Sequence, residues 1–521
     1  MSTKKPNIVL VMADQLRYDL RKSKGYPLDT MPFLDSLSGQ GLEFDRAYTP
    51  NPTCMPARVS LFTGRYPSCH NVRTNHNAED AVYTEDLIDV LHDEGYLLAL
   101  CGKNHSHLSR EDFDWWETNG HLGSESEQEL TDAGKSFDAY LKTLHFCDSE
   151  KPSPFTVKEQ LPYRNVSSFF RFADKAISED RPFFAWVSFA EPHNPYQVPY
   201  PYYDMFTPDS LPEITTDLSG REAKYLFMDE MWSRVYSEDK KERILRDRSN
   251  YLGMLRLIDD QLKRLYEGLN ERNLLDDTLV IFVSDHGEFI GEYGLIRKGC
   301  GVGEILSHVP MVMYGHGVER TGHEKDAFVS LIDIFPTICN LLGVHTPFGV
   351  QGKNLLPLMQ GKAYPERDFR IAYSETGFGG MYWDDRDDLD PVTEGAATDG
   401  WKAFDCLNTW TQAGTERMIR KGDYEFIADM MGNYRLYDIS SDPLETQDLS
   451  DNPDYFDILM DMSLELNAVM MRASDPIPSC KWRYRTKIHP DGYWFDESYH
   501  VKSDPGVEYH PVKCPKRRTR Q

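Results

Sequence analysis

Four short runs of β-forming apolar residues, far apart in the chain, each stop abruptly at polar residues. They are Ile8 to Ala13 before Asp14-Gln15, Leu97 to Cys101 before Gly102-Lys103-Asn104-His105, Phe183 to Phe189 before Glu191-Pro192-His193, and Leu279 to Ser284 before Asp285-His286-Gly287. Apolar runs without polar alternation are the pattern of strands buried on both faces of a parallel sheet. An open sheet of this kind presents its ligand crevice at the carboxyl ends of its strands. Four remote stretches are therefore expected to bring polar side chains to one rim.

Between the runs, Thr84 to Glu94 and Tyr251 to Leu269 repeat apolar residues at helical spacing. Alternating strands and helices predict a doubly wound α/β domain, with a mostly parallel sheet, over residues 1–365. Composition then shifts. Residues 376–400 are rich in glycine and aspartate without periodicity and read as an exposed loop. Arg417 to Arg420 and Tyr424 to Ile427 read as a hairpin leading to Leu436-Tyr437-Asp438 and Asp442-Pro443. A smaller C-terminal α+β subdomain with a short antiparallel sheet is thus expected over 366–460, followed by an extension over 461–521. Trp482, Tyr484, Tyr493, Trp494, Phe495 and Tyr499 make that extension too aromatic for a disordered end.

With 521 residues, 40% of them hydrophobic, the chain can bury a large core. Its formal net charge of -27 disfavours nucleic acid and anionic membranes as partners, since both need a basic face. The basic end, Lys516-Arg517-Arg518 and Arg520, reads as a solvated tail. An anionic substrate needs a locally positive pocket against that field. No run is long enough to span a bilayer. The stretch Asn7 to Ala13 is too short for the core of a signal peptide and no cleavage site follows it, so a cytoplasmic location is expected. Nine cysteines without metal-type or disulfide-framework spacing fit a reducing compartment.

Cys54-Met55-Pro56-Ala57-Arg58, followed by Phe62-Thr63-Gly64-Arg65, places a thiol, a helix-starting proline and an arginine within one turn. Pro56 suits a first helical turn, where its missing N–H has no intrahelical partner to lose, and Gly64 suits the far end. Residue 54 then stands at a helix N-terminus, where free N–H groups favour an anion. Arg58, one turn on, can turn to the same spot. An isolated cysteine on an amphipathic helix is usually a buried core residue. The length of this pattern sets Cys54 apart.

The stretch resembles the signature of the type I, formylglycine-dependent sulfatases of the alkaline phosphatase superfamily, with Phe62 where leucine or methionine is usual. The resemblance runs from Pro6 to about Leu449. It includes Val329 to Ile334 with Pro336-Thr337, and Leu436-Tyr437-Asp438 with Asp442-Pro443-Leu444-Glu445. It implies that a formylglycine-generating maturation enzyme oxidises Cys54 to an aldehyde whose hydrate is the nucleophile. It also implies a divalent cation held by Asp14, Gln15, Asp285, His286 and the residue-54 oxygen, with Gln15 standing where many sulfatases have a second acid. Ca²⁺ is the expected ion, and the imidazole ligand leaves Mn²⁺ or another transition ion open.

By the same resemblance Lys103 and His105 match a Gly-Lys-x-His element, His193 matches the histidine after the central strand, and Lys298 in Arg297-Lys298-Gly299 matches the lysine beyond Asp-His-Gly. Arg58, Lys103 and Lys298 are then expected to hold the sulfate oxygens. His193, assisted by Lys298, is expected to protonate the departing oxygen, and His105 to take the proton whose removal releases sulfate. His76, within Asn75-His76-Asn77, is a candidate to line the leaving-group pocket together with Trp115-Trp116 and Tyr382-Trp383.

The implied substrate is a sulfate monoester of a saccharide or of an aryl or steroid alcohol. Phosphonate monoester and phosphodiester hydrolases share Gln15, Asp285-His286 and the Cys-x-Pro-Ala-Arg motif and form the alternative. A non-catalytic binding protein on this fold is a second alternative, which needs a broken site where every motif position here is filled. The extension is similar in style to those by which choline sulfatases and phosphonate monoester hydrolases wrap a neighbouring subunit, which points to a homo-oligomer.

Overall fold

A computed structural model describes residues 5–144, 146–219, 221, 223–236, 239–299, 301–377, 415–430 and 432–474. The loop expected over 376–400, with Tyr382-Trp383, lies almost wholly outside the described residues, as do the aromatic residues of the extension and the basic end.

All four apolar runs are strands of one eight-stranded sheet. Its order is Gly322–Glu324, Leu42–Phe44, Met311–Gly315, Thr278–Ser284, Asn7–Asp14, Phe183–Pro192, Leu97–Gly102 and Trp115–Glu117. Asn7–Asp14 runs at the centre, parallel to both neighbours. Its residues alternate between two cores, which explains the lack of polar alternation: Val9, Val11 and Ala13 pack with Phe172, Leu255 and Phe282, whereas Ile8, Leu10 and Met12 pack with Trp186, Met311 and Phe335. The antiparallel strand Met311–Gly315, between Thr278–Ser284 and Leu42–Phe44, makes the sheet mostly rather than wholly parallel.

Register brings the strand ends level. Ala13 lies opposite both Phe189 and Ser284, and Gly102 lies opposite Ser188. Gly102 (φ 122°) sits where a Cβ would meet the Ser188 carbonyl, so only glycine lets the two backbones approach before Lys103. The helical pattern Tyr251 to Leu269 lies within the longer helix Lys240–Glu271. Buried Asp259 on that helix accepts the amides of Phe33 and Leu34, each at 2.8 Å, at the start of the helix Pro32–Gln40. The pattern Thr84 to Glu94 shortens to Leu87–Asp93, because Asp86 caps the helix through the Asp89 amide at 2.9 Å.

The predicted hairpin forms the centre of a four-stranded antiparallel sheet, Ile371–Thr376, Glu416–Lys421, Tyr424–Asp429 and Tyr434–Asp438. The helix Phe456–Ala473 lays Leu459, Met462, Leu466 and Val469 on it, against Tyr373, Ile419, Phe426 and Leu436. The boundary expected at residue 460 falls inside this helix, whose apolar spacing continues beyond it. Tyr48, Val302 and Phe328 pack with Met418, Ile427 and Tyr437, joining the two sheets' surroundings. Among the described residues no helix is long and apolar enough to cross a membrane and no disulfide forms.

Candidate functional site

Cys54 opens the helix Cys54–Thr63, all ten residues of which are buried, and Gly64 (φ 63°) ends it in the left-handed region. The helix points its first turn at the carboxyl ends of the central strands. Cys54 Sγ lies 3.1 Å from His286 Nε2 and 3.6 Å from Asp14 Oδ1. His286 Nε2 is in turn 3.7 Å from both Asp14 Oδ1 and Asp285 Oδ1. Its other nitrogen, Nδ1, donates to the Gly287 carbonyl at 2.8 Å, which fixes the ring so that Nε2 faces the group.

These four buried side chains present ligand atoms within 4.8 Å of one another. Cation ligands at the distances typical of Ca²⁺ sit about 3.3–3.7 Å apart when they subtend a right angle at the ion. The spacings of 3.6 and 3.7 Å match that, the 3.1 Å from Cys54 to His286 is slightly shorter, and two carboxylates, an imidazole and residue 54 form a donor set suited to a hard or borderline divalent ion. Gln15 (φ 69°) stands beside them: its amide N–H donates to Asp285 Oδ1 at 3.0 Å, its side-chain N–H donates to Glu288, and its Oε1 accepts from Lys298 Nζ at 3.0 Å.

Arg58 turns inward as expected, but its donors go to the protein. Nε donates to Asp285 Oδ2 at 2.8 Å, Nη2 to Asp14 Oδ2 at 3.3 Å, and Nη1 to Ser188 Oγ at 2.9 Å and to the carbonyls of Lys103 and Asn104 at 3.2 Å. The arginine thus holds the outer oxygens of both carboxylates, so that their inner oxygens face His286 and Cys54. Lys103 donates to Asp14 and, at 2.7 Å, to His121. Lys298 reaches His193 Nε2 at 3.2 Å, and His193 Nδ1 donates to the Asn194 carbonyl at 2.7 Å.

Three buried cations therefore face two buried carboxylates, a locally positive field in an acidic chain. Its effect shows at Cys54: burial and Asp14 push the thiol up, but Lys103, Lys298 and His286 outweigh them and hold it at about 6. Burial also drives His193 and His105 well below the ordinary histidine range, with His121 and Lys298 adding to the first and Lys103 and Arg58 to the second. Asp14 goes the other way. Burial opposes its charge, yet Lys103, His193 and Arg58 keep it well below the usual carboxylate value.

Among the described residues, every sequence-predicted site residue is buried or half-buried except His76, which stays exposed on its loop. Its neighbour Asn75 makes the contact with the nucleophile helix, accepting from the Met55 amide at 3.0 Å. Trp115 and Trp116 are packing residues: the first donates to Ser168 Oγ at 3.0 Å and tilts against Phe172, and the second tilts against Phe113. His105 is half-buried at φ 46°, with Nδ1 lacking a protein partner. Sequence reasoning missed His121, Glu288 and Ser188. Ser188 and Glu288 sit within or just after apolar runs already identified, a signal that was available, whereas His121 lies in an ordinary turn.

The family model described as Sulfatase matches residues 6–344. Among curated proteins, an uncharacterized sulfatase of Escherichia coli is 25% identical over 92% of this chain and 90% of its own length. An arylsulfatase of Clostridium perfringens is 28% identical over 72% of this chain and 82% of its own. Among solved structures, a phosphonate monoester hydrolase of Agrobacterium radiobacter superposes with a TM-score of 0.71 at 23% identity, covering 96% of this chain and all of that one.

Proposed function

This chain belongs to the sulfatase family of sulfuric ester hydrolases, and from that premise we propose that it cleaves sulfate monoesters of saccharides or of aryl or steroid alcohols, with residue 54 as the nucleophile. The carrying observation is the meeting of Cys54 Sγ with His286 and Asp14 at the start of a buried helix, with buried Lys103 on Asp14 and buried Lys298 on Gln15. Its sulfur stands where the oxygens of a modified residue 54 would be. Asp14, Gln15, Asp285, His286 and residue 54 would hold the cation, Ca²⁺ first and Mn²⁺ as the ion its imidazole also permits. The cation supplies positive charge and acidifies the nucleophile, which oxidation of Cys54 to formylglycine supplies as a hydrated aldehyde.

The chain's own residues do the rest. Lys103 and Lys298, both buried and both near enough to hold the Cys54 thiol down, fix the non-bridging oxygens as charge develops on them. Arg58 acts through the two aspartates it orients. Neutral His193 accepts from Lys298 through Nε2, so this pair carries the proton that the departing oxygen receives. Neutral His105, with an unpartnered nitrogen, serves as the base for sulfate release. A formylglycine-generating enzyme is the required maturation partner, and the extension supports a homo-oligomer.

A phosphonate monoester or phosphodiester is the second reading, favoured by Gln15 at the cation site and by a full-length structural match to a phosphonate monoester hydrolase. Such esters carry one negative charge on a tetrahedral centre, as sulfate monoesters do. Rates with 4-nitrophenyl sulfate, a phenyl phosphonate ester and a panel of sulfated monosaccharides, taken on one preparation, separate the two. Faster turnover of any sulfate ester supports the first reading; a phosphonate ester turned over faster than all of them overturns it.

A further inference from the structure

His121 belongs to none of the motif positions, yet it touches both halves of the site. Its Nε2 is 2.7 Å from Lys103 Nζ, and an ammonium only donates, so Nε2 accepts. Its ring also lies almost flat on the ring of His193, with centroids 3.8 Å apart and planes 26° from parallel, and meets Phe146 edge-on from 5.9 Å. With Nε2 accepting, a neutral ring carries its proton on Nδ1, which has no protein partner. His121 lines a cavity of about 10 Å³ with Glu191 and Gln197, and Glu191 Oε2 and Gln197 Oε1 are also without protein partners. That space is about the volume one water needs.

We propose that His121 is a positioning residue that sets two groups at once: it aims the Lys103 ammonium at the sulfate, and it fixes the ring plane of His193 on the leaving-group side. The proposal rests on the sulfate-ester reading above. The two contacts are chemically separable. The lysine contact needs a lone pair, and the His193 contact needs a flat ring. Phenylalanine keeps the ring and loses the lone pair, whereas asparagine keeps a polar acceptor and loses the ring. A residue that only fills space would not distinguish them.

The test compares wild type, His121→Phe and His121→Asn on 4-nitrophenyl sulfate and on an unactivated alkyl or sugar sulfate, with inorganic sulfate affinity measured by calorimetry. Loss of a hydrogen bond to a charged group predicts that His121→Phe lowers kcat/KM by at least about tenfold on both esters and weakens sulfate binding by a similar factor. His121→Asn is expected to keep sulfate affinity within about threefold and to lose activity mainly on the unactivated ester, where protonation of the leaving group matters. Equal losses by both variants on both esters, or unchanged sulfate affinity in His121→Phe, overturn the proposal. Wild type inactive on every sulfate ester defeats the functional reading instead, and the sulfate-binding arm still decides the Lys103 contact. If the phenylalanine variant fails to fold, His121→Leu, which removes the lone pair and the ring together, should show the loss of sulfate affinity that His121→Asn lacks, and equal sulfate affinity in those two variants would overturn the proposal.

Discussion

Arg58 Nε donates to Asp285 Oδ2 at 2.8 Å with both side chains wholly buried, and the same guanidinium reaches Asp14 Oδ2. One side chain from the nucleophile helix thereby fixes two carboxylates from two different strands. A lysine has no fork with which to reproduce this. Arg58→Lys should therefore weaken cation binding by about 10–100-fold, the usual effect of losing an outer-shell partner. Cation titration of the purified variant checks this, and wild-type affinity would show that the arginine serves the substrate alone.

Residue 54 itself gives the second prediction. After co-expression with a formylglycine-generating enzyme, the peptide containing residue 54 should appear in mass spectra as aldehyde or hydrate and react with hydrazides, with activity rising in proportion. Cys54→Ala should lose turnover yet keep the fold and most of the cation affinity, because Asp14, Asp285 and His286 come from strand ends remote in sequence. Full activity from the alanine variant, or from unmodified thiol, would favour a metal-water hydrolase instead.

His193 should matter in proportion to how badly the leaving group needs a proton. His193→Ala is expected to lower kcat on a sugar or alkyl sulfate by about 10²-fold or more, and on 4-nitrophenyl sulfate by much less. Paired kinetic runs on the two esters measure this directly. Equal losses would remove His193 from the proton-transfer role.

Far from the site, Glu43 sets an acid limb of stability. Burial raises its carboxyl, but Arg21 at 2.7 Å and Lys24 at 2.9 Å outweigh that and hold it at about 2, below the ordinary 4.5. The contribution is complete above about pH 4.5 and fades as pH falls toward 2, since the unfolded chain takes up the proton first. A shift of this size corresponds to roughly 3 kcal/mol. Glu43→Gln should thus be markedly less stable at pH 7 and approach wild type near pH 2. Urea midpoints across that range test it; a difference independent of pH would show that the pair contributes only by packing.

The strands, their polar ends and the nucleophile helix were legible because their causes are local. Uninterrupted apolar runs demand burial on both faces, and Pro56 and Gly64 mark a helix's two ends. Cys54, Asp14, Asp285, His286, Lys103, His193 and Lys298 could all be named from such signals together with the family resemblance. What no local signal carries is pairing. Arg58 has the same sequence context whether it grips a substrate or two aspartates, one of them 227 positions away. Trp115 and Trp116 look alike as pocket walls or as packing on an edge strand. His121 sits in a turn with nothing to mark it, and it enters the site because the edge strand and the chain after it bring its ring onto His193. Residue types and strand ends were therefore determined by sequence, through burial and turn chemistry that act within a few positions. Which buried charge meets which was decided only by tertiary structure, because strand register sets those distances and charge pairing in a dry interior is settled by whichever partner lies within reach.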